Sequence, residues 1–220
     1  MHDIHIGKRI LEKNNELAAE NSGIFEEQGI FVINMVSSPG SGKTTILEKT
    51  IERLKDSVQI AVIEGDIQTD NDAKRIERYG IPVKQITTGR ACHLDAHMIN
   101  HTLDWVKGIY GLKLLIIENV GNLVCPAEYD LGEDCMVSVI SVTEGDDKPL
   151  KYPAIFHSSD ILIINKTDLL PYTNFNMKLA KDNAIGINHN LKIFEMSCTT
   201  GKGLDEWCDW IAAQIKSCNQ

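Results

Sequence analysis

The chain has 220 residues, 43% hydrophobic and 24% charged, with a formal net charge of -9 at pH 7. That length suits one large domain with a sizeable core, and the acidic balance argues against nucleic-acid and anionic-membrane partners, both of which select a basic face. The longest apolar runs, Ile30–Val36 and Ile161–Ile164, fall far short of a membrane span, and Met1-His2-Asp3 opens no secretory signal, so a cytoplasmic protein is expected.

Residues 1–29 read as a helical extension, with Ile6, Ile10, Leu11, Leu17 and Ala18 at helical spacing and Gly23 and Gly29 flanking its end. From residue 30 to residue 220, strand-like and helix-like segments alternate. Strands are expected at Ile30–Val36, Gln59–Ile63, Val83–Ile86, Leu114–Ile117, Val137–Val142, Ile161–Ile164 and Ile193–Met196. Helical spacing covers Lys43–Lys55, Asp70–Tyr79, His93–Val106, Asn174–Asn183 and Leu204–Ile215. Continuous apolar strands between helices predict an α/β domain with a mostly parallel central sheet covered on both faces. No repeat or linker divides it.

Ser37-Ser38-Pro39-Gly40-Ser41-Gly42-Lys43-Thr44 follows the first strand and opens a helix, which is the context a phosphate-binding loop requires. Gly40 and Gly42 let the backbone curl its N–H groups toward phosphate oxygens, and the helix N-terminus adds partial positive charge. Lys43 is placed to pair with the β- and γ-phosphates, and Thr44, followed by Thr45, to ligate Mg2+ through its hydroxyl. Ser37 stands where the motif has its first glycine. The loop therefore predicts a P-loop NTPase fold.

Asn165-Lys166-Thr167-Asp168 follows another apolar strand and has the N-K-x-D form of a guanine-reading loop. The Asp168 carboxylate can accept from the N1–H and exocyclic amine of guanine, a pattern adenine lacks, and an unpaired buried carboxylate penalises ATP. The Lys166 stem is expected to cover the base and Asn165 to tie this loop to the phosphate loop. Ser197-Cys198 follows a strand in a second loop suited to the guanine carbonyl. These signatures point to GTP and GDP as ligands.

Leu114–Ile117 runs into Glu118-Asn119-Val120-Gly121, an acid for the magnesium shell and a glycine N–H for the γ-phosphate. Asp66 offers a second carboxylate, for the metal or the attacking water, although Asp also favours turns and caps. With no glutamine or arginine finger near these motifs, intrinsic turnover is expected to be slow.

Cys92 and His93 stand together at the head of the His93–Val106 segment, with His97 and His101 following at four-residue steps and Cys125 only four residues past Gly121. On one helix the histidines would form a stripe, and Cys92 at its start would have a lowered thiol pKa. Thiolate and imidazole suit Zn2+ or Ni2+; His97 and His101 can equally be a solvated face. The other four cysteines, Cys135, Cys198, Cys208 and Cys218, have no such company. Adjacent Cys92 and His93 cannot easily complete a four-ligand site alone, which suggests a metal shared across a homodimer.

These motifs, above all Cys92-His93-Leu94-Asp95-Ala96 with Asn122-Leu123-Val124-Cys125-Pro126, resemble the hydrogenase nickel-incorporation GTPase family HypB across almost the whole chain. The resemblance implies a GTPase that dimerises with nucleotide and delivers nickel during maturation of [NiFe]-hydrogenase. It also implies a nickel-binding accessory protein and the hydrogenase large subunit as partners, and Cys92, His93 and Cys125 as ligands of the interfacial metal. Many bacterial members carry an N-terminal cysteine motif or histidine tract; here only His2 and His5 occur, so nickel storage is expected to be absent. The urease nickel GTPase has a Cys-Pro-His motif where this chain has adjacent Cys92-His93. A P-loop kinase and a nucleotide-regulated metal store are the rival classes; GTP preference over ATP excludes the first, and turnover with and without nickel separates the second.

Overall fold

All seven apolar runs become strands: β1 Phe31–Ser37, β2 Ile60–Asp66, β3 Val83–Thr87, β4 Leu114–Gly121, β5 Cys135–Ser141, β6 Ile161–Asn165 and β7 Lys192–Glu195. They form one sheet in the order β3-β2-β4-β1-β5-β6-β7, and every pairing is parallel. The computed structural model describes residues 6–66, 71–89 and 91–218. Nine α-helices are formed among the described residues: α1 Ile6–Gln28, α2 Lys43–Leu54, α3 Asn71–Glu77, α4 Ala96–Asn100, α5 Leu103–Lys107, α6 Lys148–Lys151, α7 Pro153–Ser158, α8 Met177–Ile187 and α9 Leu204–Ser217. None is long and apolar enough to cross a membrane. His2, His5 and Asp70 lie outside the described residues.

Strand periodicity sorts the core into two faces. Ile33, Met35, Val137 and Val139 pack under α2 and α9 with Ile46, Leu47, Trp207 and Ile211. Val32, Ile63, Leu115 and Ile117 meet Phe25 of α1, Ile99 of α4 and Val106 of α5 on the other face. Farther along that face, Ile140, Leu162 and Ile164 meet Phe156 of α7 and Ala180 of α8. The strand order reverses beside β1, so a crevice opens at the carboxyl ends of β1, β4 and β2, the place where open parallel sheets bind ligands.

One helix expectation is corrected. The helix expected over His93–Val106 is two short helices. Asp95 caps the first, its side chain accepting from Met98 N at 2.8 Å, so Cys92 and His93 precede the helix. The turn ends where Thr102 Oγ1 donates to Ile99 O at 2.7 Å, and α5 restarts at Leu103. In α1 the helix ends at Gln28, between Gly23 and Gly29 as expected, and Gly29 closes it at φ 62°. Helices α6 and α7, each with proline in its first turn, were not anticipated.

Buried amides hold α1 against the segment carrying the metal-ligand candidates. Asn21 is fully buried; its Nδ2 donates to Ala96 O and Leu131 O, both at 3.0 Å, and its Oδ1 accepts from Asn100 Nδ2 at 3.0 Å. Asn14 Oδ1 accepts from Ala96 N at 2.9 Å, and its Nδ2 donates to Asp130 O at 2.8 Å. Asn21→Leu keeps the volume but strands two carbonyls and an amide, so it should cost about 2–5 kcal/mol. Urea unfolding with an unchanged slope would measure it.

Candidate functional site

The crevice has a volume of about 540 Å³ and is walled by the phosphate loop, Asp66, Glu118, Val120, Gly121 and Lys166. Pro39, Gly40, Gly42, Lys43, Thr44 and Thr45 all line it, as the sequence anticipates. Gly40 at φ 79° and Gly42 at φ 98° occupy the left-handed region, which only glycine enters without steric cost. A Cβ on Gly42 would also stand 2.5 Å from Asn165 Nδ2. That nitrogen donates to Ser41 O at 3.0 Å, tying the two loops together. Lys166, itself at φ 61°, donates to Gly40 O at 2.7 Å and arches over the phosphate loop.

Ser37 does more than replace a glycine. Its Oγ accepts from Lys43 Nζ at 3.2 Å, holding the ammonium in the crevice. Ser41 Oγ donates to Glu144 Oε1 at 2.6 Å. Lys148 lies 3.0 Å from Glu144 Oε2 and donates to Ser38 Oγ at 2.8 Å. This brace from the end of β5 was not foreseen, because no local pattern reveals which loop meets the phosphate loop. Arg75, also unforeseen, lines the crevice; Glu48 grips its guanidinium at 2.7 and 3.1 Å, and Asp72 does so at 3.0 Å.

Glu118 is buried at the centre of this wall. Its Oε1 accepts from Thr44 Oγ1 at 2.8 Å and lies 3.6 Å from Lys43 Nζ, while Oε2 is buried without a hydrogen bond. A buried carboxylate oxygen lacking a partner, next to a threonine hydroxyl, fits a hard divalent cation such as Mg2+. Glu64, its register partner on β2, was not singled out from sequence. Burial, then the neighbouring Glu118 carboxylate, push its pKa well above the usual carboxylate range.

In the base loop, Asp168 Oδ1 accepts from Ser197 Oγ at 2.6 Å. Cys198 Sγ lies 3.8 Å from Asn165 Oδ1, and burial pushes its thiol up to about 11.

Beyond Gly121, a second cluster forms. One ligand atom each from Cys92, His93 and Cys125 gathers within 4.8 Å. Cys92 Sγ donates to Cys125 Sγ at 2.9 Å, and His93 Nδ1 lies 3.8 Å from Cys92 Sγ. Tyr129 stacks on His93 with ring centroids 4.0 Å apart, and Asn122 Nδ2 donates to Cys92 O at 3.1 Å. Burial lowers the His93 pKa, keeping the imidazole neutral with a lone pair free for a metal. The expected lowering of the Cys92 pKa is reversed: it is raised, first by the hydrogen bond to Cys125 and then by burial. His97 and His101 stand apart from this cluster, facing each other with Nε2 atoms 3.1 Å apart. The three-histidine stripe is therefore split.

Residues 31–195 match the family model described as CobW/HypB/UreG, nucleotide-binding domain. The chain is 52% identical over 211 residues to the hydrogenase maturation factor HypB of Azotobacter chroococcum mcd 1, covering 96% of this chain and 69% of that protein. Its structure resembles that of HypB from Helicobacter pylori in complex with nickel, with TM-score 0.89, 40% identity and coverage of 93% and 96% of the two chains. It also resembles the hydrogenase maturation factor HypB from Archaeoglobus fulgidus, with TM-score 0.87, 42% identity and coverage of 93% and 99%.

The sulfur pair gives a direct check on the cluster. Cys125→Ala removes the acceptor that holds the Cys92 proton, so the Cys92 pKa falls and its thiolate fraction rises at fixed pH. Alkylation of Cys92 in metal-free protein, followed by peptide mass spectrometry, should become faster; an unchanged rate would contradict the contact.

Proposed function

The chain belongs to the CobW/HypB/UreG nucleotide-binding family, among its hydrogenase maturation factor HypB members, and on that premise we propose a GTP-hydrolysing metallochaperone that carries nickel on Cys92, His93 and Cys125. The carrying observation is the position of that cluster. Cys125 follows Gly121 by four residues, and Gly121 ends the strand whose Glu118 meets Thr44 and Lys43 of the phosphate loop.

In this reading Lys43 and the loop N–H groups bind the β- and γ-phosphates, while Asp168, Ser197 and Cys198 select guanine. Thr44 and Glu118, with Asp66 across the crevice, are the residues that would hold Mg2+, whose charge would neutralise the phosphates. Asp66 is also placed to orient the attacking water. In this reading Gly121 meets the γ-phosphate through its N–H; a Cβ there would stand 3.3 Å from the Pro39 backbone N, a tight approach that the loop would have to relieve by a small shift. Arg75 is committed to Glu48 and Asp72, so intrinsic turnover is slow until a partner acts. Hydrolysis frees Gly121, Cys125 shifts, and the cargo site weakens.

Nickel as cargo is supported by the family's role in hydrogenase maturation and by the nickel complex of the H. pylori relative. Zn2+ has affinity for the same donors, whereas His97 and His101 face each other apart from them. Three ligands per chain leave a vacancy that a second copy fills, giving a homodimer that depends on GTP and metal. A nickel-binding accessory protein and the hydrogenase large subunit are its partners in delivery, in the cytoplasm.

Two measurements test this. Asp168→Asn sets an amide donor against the guanine donors and should lower GTP affinity by about 100-fold; xanthosine triphosphate, with an acceptor there, should bind the variant better than GTP. Cys92→Ala and Cys125→Ala should each weaken nickel by more than about 100-fold, since even outer-shell losses cost 10–100-fold. Wild-type nickel affinity in either cysteine variant would sink the cargo assignment.

A further inference from the structure

Cys125 is only half of the metal centre. Cys92 and His93 arrive on a different loop, and that loop has its own anchor to the nucleotide wall. Asn119 sits one residue past Glu118, so its side chain projects to the opposite face of the sheet. It is 1% exposed, and both acceptor positions of its Oδ1 are taken. One accepts from Leu94 N at 3.0 Å and the other from Val120 N at 2.9 Å. Leu94 is the residue directly after His93. The Asn119 amide is itself fixed, since Nδ2 donates to Asn34 Oδ1 at 3.2 Å, and Asn34 Nδ2 donates to Glu133 Oε1 at 2.8 Å.

The Leu94 side chain grips a second strand. It is fully buried and lies so close to Gly65 that a Cβ there would stand 2.7 Å from Leu94 Cδ1. Gly65 lies between Glu64 and Asp66. Leu94 is thus bonded by its backbone to the end of β4 and wedged by its side chain against the end of β2, the two strand ends that carry the crevice carboxylates.

We propose that Asn119 and Leu94 form a second coupling arm, which passes movement of the β2 and β4 ends to the Cys92–His93 half of the metal centre. This rests on reading the cluster as a nucleotide-coupled nickel site. Cys125 then moves through Gly121, Cys92 and His93 move through Leu94, and the centre responds on both sides. Asn119 and Leu94 touch neither nucleotide nor metal; they are positioning residues.

The test titrates nickel alone into Asn119→Leu, Leu94→Ala and wild type, each loaded with Mg2+ and either GDP or a non-hydrolysable GTP analogue. The quantity read is the ratio of the two nickel dissociation constants. A merely structural role weakens nickel equally in both states and leaves the ratio alone. Wild type should show a ratio of about 5–150, and both variants should bring it at least about threefold closer to one. Leu94→Ala retains the backbone hydrogen bond, and it decides the matter if Asn119→Leu does not fold. A wild-type ratio retained in a folded variant overturns the second arm alone, whereas a ratio of one in wild type overturns the coupled-site reading with it.

Discussion

Neighbouring residues on a strand point to opposite faces of its sheet, and at the end of β4 that alternation joins two chemistries. Glu118 faces α2 and meets the phosphate-loop threonine and lysine. Asn119 faces the other way and holds the loop that carries Cys92 and His93. Gly121 then passes against Pro39 before the chain turns to Cys125. The three contacts share one short, buried stretch of strand.

The surroundings are arranged to keep that strand end defined. An interior position in a seven-stranded parallel sheet pairs β4 with both β1 and β2, with a register shift against β1 between Glu118 and Gly121. The buried Glu64–Glu118 pair concentrates unsatisfied oxygen at the point where a cation would be held. On the far face, Asn14 and Asn21 fasten α1 to Ala96, so the helical extension supports the Cys92–His93 loop from behind. Tyr129 covers His93 from the Cys125 side. Each contact replaces loop freedom with a buried hydrogen bond or a packed ring.

The sheet and its loops were legible because their signals are local. Seven strand-like segments marked seven strands, and the glycines of the phosphate loop and the Asn165–Asp168 motif carry their chemistry in adjacent residues. The pairing of Cys92 and His93 with Cys125 was also legible, through their donor types. What failed was decided by short polar side chains with two options. Asp95 could continue a helix or cap one, and its hydrogen bond to Met98 N placed Cys92 and His93 outside it, while the Cys125 contact raised the thiol pKa that was expected to fall. Asn119, Asn34, Glu133 and Glu144 were not legible as site residues, since their partners lie on other elements. Glu64 looked like any strand-end acid until the register set it beside Glu118.

Coupling between two sites is reciprocal by thermodynamic necessity. The central claim, that nucleotide and nickel act on one structural equilibrium, is therefore tested most directly by closing the cycle in the wild-type protein. GTP-analogue affinity would be measured calorimetrically with and without nickel, and nickel affinity with and without the analogue, at a protein concentration where the oligomeric state is constant. The account predicts two equal factors, both different from one. Factors of one in both directions would contradict it.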